Sequence, residues 1–92
     1  MVDFHGDLPG EGLVRQGLDD LASGKETLPA LLVSLGVTRL RRAGLPIPSP
    51  FPDADHRLYL ALEREFGNDA HSRYNALLRT LVSFERALEC AN

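Results

Sequence analysis

Between residues 45 and 52 the chain reads LPIPSPFP, with proline at every second position. Each pyrrolidine ring fixes its own φ and pushes the preceding residue out of the helical region. No helix crosses such a stretch, and a central strand cannot use it, because half of its amides have no hydrogen to donate. The segment is therefore extended or polyproline-like, and it divides the chain into two halves. Leu45, Ile47 and Phe51 stand between the prolines. They make the segment too apolar for a solvated linker, and the expectation is a strap packed on the rest of the fold, ordered and partly buried.

On either side of the strap the apolar residues recur at helical spacing, and nowhere with a period of two. Residues 1–10, with Gly6, Pro9 and Gly10 in a polar setting, read as a flexible lead-in. A helix is expected over about 11–23, with Val14, Leu18, Leu21 and Ala22 on one side and Gly17 beside them. Asp19 and Asp20 should face water, and Gly24 is placed to close the helix in the left-handed conformation. Thr27 and Pro29 mark the start of a second helix, by a capping hydroxyl and by a proline in the first turn, where a missing N–H costs nothing. Leu28, Ala30, Leu31, Leu32, Val33 and Leu35 make it apolar nearly all round, as the central helix of a core would be.

Gly36 should end that helix, and Thr38 should cap a short basic one from Arg39 to Ala43, stopped by Gly44. Beyond the strap, Asp53 is expected to cap a helix over 54–66 with Leu58, Tyr59, Leu62 and Phe66 as its stripe. Asn68 or Asp69 should cap the longest helix, from 70 to about 89, faced by Tyr74, Leu77, Leu78, Leu81, Phe84 and Leu88. The predicted fold class is all-α. Residues 1–92 form a single domain, a small bundle of four to five helices with the strap between its two halves.

A domain of 92 residues buries only about 60 to 65 per cent of its unfolded surface, so its core is thin and a partner or a second copy would add to its stability. The net charge of -3 does not draw phosphate backbones at long range. Cys90 is the only cysteine, which excludes an internal disulfide and fits a reducing compartment. The opening MVDFHGDLPG has neither the basic start nor the apolar run of a secretory leader. No apolar stretch approaches the roughly 20 residues needed to cross a bilayer. A cytoplasmic location without membrane association is expected.

Candidate chemistry is sparse. Residues 27–45 have the loose outline of a helix-turn-helix, in which Arg39, Arg41 and Arg42 would meet phosphates or base edges. The second helix is short, however, with only Leu40 and Ala43 to anchor it, and the chain is acidic. The arginines read better as a solvated cluster or a surface for an anionic partner. Asp53, Asp55 and His56 begin one helix, Asp69 and His71 another, and together they could offer oxygen and nitrogen ligands to a divalent ion. No i, i+4 ligand pair is present, and capping and the helix dipole already account for aspartates at helix starts. No catalytic, cofactor-binding or metal-binding residue is assigned, and an enzymatic role is disfavoured.

Three further positions carry more weight. Glu85 falls inside the apolar face of the last helix, where an unpaired carboxylate is costly, so an arginine partner at the rim of the core or of an interface is expected. Leu13 and Leu60 project away from the stripes of their helices and are candidate interface positions. The functional expectation is a non-enzymatic helical interaction or assembly module that binds a protein or pairs with itself as a homodimer. A small nucleic-acid-binding regulator using residues 27–45 is the alternative, and a metal-dependent enzyme comes third.

Overall fold

A computed structural model describes residues 10–91, which form five α-helices and no strand. They are α1 (Glu11–Ala22), α2 (Leu28–Leu35), α3 (Val37–Arg42), α4 (Ala54–Phe66) and α5 (Ala70–Ala91), with one 3₁₀ turn, Gly67–Asp69, between the last two. Apart from Gly10, the expected lead-in lies outside the described residues.

The α1–α2 hairpin is built on local chemistry. Gly24 takes φ 72, and the amides of Gly24 and Lys25 donate to the carbonyls of Leu21 and Asp20 at 3.0 and 2.7 Å. A left-handed glycine thus closes α1, as its sequence position predicts. Thr27 caps α2 by accepting from the Ala30 amide at 3.2 Å, and its hydroxyl donates to Asp20 Oδ2 at 2.6 Å. Gln16 Nε2 donates to the other oxygen of the same carboxylate at 3.0 Å. Asp20 therefore does not face water as expected: it is 7% exposed, because the α2 cap draws it inward. The two helices also touch at Gly17, where a methyl group would collide with the Pro29 carbonyl and stand 2.5 Å from Val33 Cγ2.

α2 is the central element, with Ala30 to Ser34 all buried and contacts to α1, α3, α4 and α5. Gly36 passes the chain from α2 to α3 in a single residue, and its carbonyl accepts the Leu40 amide at 3.0 Å. The new helix therefore starts at Val37, and Thr38 lies inside it and does not cap it. α3 ends on a second left-handed glycine, Gly44 at φ 102, with the amides of Gly44 and Leu45 bonded to the carbonyls of Arg41 and Leu40.

That closure delivers Leu45 into the core, and the strap continues it. Leu45 and Ile47 are buried, and Phe51 packs against the same cluster. The amide of Phe51 donates to Ser34 Oγ at 3.0 Å, while that hydroxyl donates to the Ala30 carbonyl at 2.8 Å. Arg41 Nη2 donates to the Ile47 carbonyl at 3.0 Å. One buried serine thus holds the strap to α2 through one of the few amides that the prolines leave.

Asp53 stands at the N-terminal cap position of α4, where its carbonyl accepts the Arg57 amide at 2.9 Å, but its side chain makes no capping bond. Capping by a side chain needs extended backbone, whereas Asp53 sits at φ 51 and ψ 40. Asn68 and Asp69 lie in the 3₁₀ turn, and the Asp69 carboxylate accepts from Arg73 Nε at 3.2 Å. The Arg73 guanidinium also lies 3.8 Å above the Phe66 ring. Leu58 and Leu62 of α4 and Leu81, Phe84 and Leu88 of α5 complete the core, and the Tyr59 and Tyr74 rings meet edge to face at its margin.

Candidate interaction surface

Gly36 does more than end a helix: it makes room against α5. A methyl group on it would stand 2.9 Å from Glu85 Oε2 and 3.0 Å from Leu81 Cδ2. Beside it opens a groove of about 310 Å³, with Leu35 and Thr38 on one wall and Leu78, Val82 and Glu85 on the other. Leu35, Leu78 and Val82 are half-buried. Leu35 also lines the adjoining concavity, with Phe51, Asp53 and Asp55.

Glu85 is 4% exposed. Arg39 Nη1 lies 3.5 Å from its Oε1, an ion-pair distance too long for a strong hydrogen bond. Arg39 gives its close bonds to Glu89 instead, from Nε at 2.9 Å and from Nη2 at 2.8 Å. Burial pushes the Glu85 carboxyl above the usual glutamate range, Arg39 pulls it back and Glu89 pushes it up again. The Arg39 hydrogen bonds hold Glu89 below that range.

Two of the three arginines of the expected surface, Arg39 and Arg41, also bond within the molecule, although Arg41 and Arg42 are exposed. Arg39 serves Glu89 and Glu85, and Arg41 reaches the Ile47 carbonyl, while Arg42 is exposed and lies in the field of Glu89. The helix-turn-helix outline also fails geometrically. One residue joins α2 to α3 where that motif has a turn of about three to four residues, and α3 is only six residues long.

Leu60 is 37% exposed, as its angular position predicts. Leu13 is not: it is half-buried and packs against the core cluster, because it sits on the flank of α1 that α2 approaches through Gly17. His71 bonds with Asn75 at 3.2 Å and meets the Tyr59 ring edge-on, while His56 is exposed on α4. Among the described residues, no group of three or more His, Cys, Asp or Glu side chains is arranged to hold a metal ion, so Asp53, Asp55, His56, Asp69 and His71 do not come together as one. Cys90 is exposed. The groove itself escapes sequence reading, because it is made by the side chain that Gly36 lacks. Comparison of the chain with protein-family models, with curated proteins and with solved structures gives no significant match.

Proposed function

We propose that this chain is a non-enzymatic helical assembly module that pairs with a second copy of itself in the cytoplasm. The observation that carries this reading is the half-covered apolar strip of Leu35, Leu78 and Val82, open beside Glu85 on a bundle with a thin core. A small domain that leaves such a strip uncovered gains stability by burying it against a partner. The engagement of Arg39 and Arg41 within the molecule argues against nucleic acid as that partner. Two features fit a cytoplasmic setting: a lone exposed cysteine, and the absence among the described residues of a helix long and apolar enough to cross a membrane.

Sedimentation equilibrium tests the proposal. At about 50 µM, above the micromolar constants at the weak end of protein interfaces, the chain should sediment as a dimer. A monomer at that concentration would overturn it.

A further inference from the structure

The outer side of α4 carries what the groove lacks. Leu60 is, among the described residues, the one large apolar side chain that is exposed. Arg64, one turn further along the same side, is also exposed, and its side chain makes no hydrogen bond or ion pair with a described residue. Residues four apart on a helix stand about 6 Å from one another, so α4 presents an apolar knob and a cation at that spacing. In the groove, Val82 and Glu85 offer an apolar wall and a carboxylate one turn apart on α5. The carboxylate holds its arginine only at ion-pair distance. Glu89 takes both close bonds of Arg39 and also lies in the fields of Arg42 and Arg86, whereas the charges acting on Glu85 are Arg39 at ion-pair distance and Glu89, which repels it.

Building on the self-association proposed above, we infer that Leu60 of one copy seats between Leu35, Leu78 and Val82 of the other, with Arg64 of the first paired to Glu85 of the second. Each copy owns both a knob and a groove. In a closed two-fold dimer the contact therefore forms twice, and the same patches serve both subunits.

Two variants separate the halves of the contact. Leu60→Glu removes the knob and leaves the groove, and Val82→Glu charges the groove and leaves the knob. Each alone should sediment as a monomer at a concentration where the wild type is dimeric. Mixed one to one, they retain one intact contact and should form a heterodimer, with a Kd at least about tenfold above that of the wild type. Arg64→Glu should weaken the homodimer without changing the melting temperature of the monomer, since its side chain is exposed. If Val82→Glu unfolds, Leu60→Glu and Arg64→Glu carry the test, because both positions are exposed. Leu60→Glu and Arg64→Glu proteins that dimerise with wild-type affinity would overturn this assignment and leave self-association standing. A monomeric wild type would remove both.

Discussion

At Glu85 two effects oppose each other in one side chain. Burial disfavours its charge and Arg39 favours it, and burial is the larger, so the carboxyl is held above the usual glutamate range. A raised folded value means that the folded chain holds this proton more tightly than the unfolded chain does. The resulting stability is complete below the usual range and is lost as pH rises through the raised value. Glu89 runs the other way: Arg39 holds it low, so its contribution is present above the usual range and fades as acid titrates it. Glu85→Gln removes the first contribution and leaves the second, and Arg39 is not orphaned because it keeps Glu89. Below the concentration at which copies pair, the variant should be more stable than wild type at pH 7 by roughly 1 kcal/mol. The gap should close toward about pH 4, as the wild-type carboxyl takes up its proton. Urea denaturation across that range checks the prediction. A variant less stable than wild type at pH 7 would mean that the attraction of Arg39 outweighs burial.

Among the helices, α1 and α2 approach so closely at Gly17 that the sign of a mutation turns on one methyl group. In an exposed helix interior, alanine is worth about 1 kcal/mol more than glycine. At Gly17 the methyl meets the Pro29 carbonyl, a backbone group in the first turn of α2 that cannot rotate away. Overpacking of this kind costs about 1–3 kcal/mol, so after the gain in propensity Gly17→Ala should lower stability by up to about 2 kcal/mol net. Gly12, on the same helix and exposed, has no neighbour within 4 Å, and Gly12→Ala should raise stability by up to about 1 kcal/mol. Thermal melts of the pair decide it, and a Gly17→Ala protein as stable as Gly12→Ala would refute the close approach.

The helices themselves were readable in the sequence, because apolar period, glycine stops and the proline run are local signals; α4 covers the expected 54–66. What the sequence did not reveal depends on backbone angle or on distant chain. Asp53 looks like a cap but sits at positive φ, and Thr38 looks like one but follows a helix that has already begun. The partners of Asp20 and Ser34 lie seven and 17 residues away, and Arg39 meets Glu89 across 50. Leu13 and Leu60 share an outward helical angle, and only the placement of neighbouring elements tells them apart.

For the molecule as a whole, the strap decides whether two halves are one folding unit. Leu45 and Ile47 belong to the same cluster as Val14 and Leu31 before them and Leu58 and Phe84 after them. α2 touches both α1 and the α4–α5 hairpin, so neither half has a core of its own. Truncating a buried isoleucine to alanine costs about 2–5 kcal/mol, a large share of the roughly 5–15 kcal/mol that holds a small domain together. Ile47→Ala should therefore lower the exchange protection of α1, α2, α4 and α5 by one common amount, in a single unfolding transition. The Phe51 amide gives a finer probe, since it lies outside any helix yet donates to the buried Ser34 hydroxyl. It should exchange slowly in the wild type and quickly in Ser34→Ala, where the acceptor is gone and about 1–3 kcal/mol of stability goes with it. If Ile47→Ala stripped protection from α4 and α5 while α1 and α2 kept theirs, the strap would be a joint between separable halves and not part of one core.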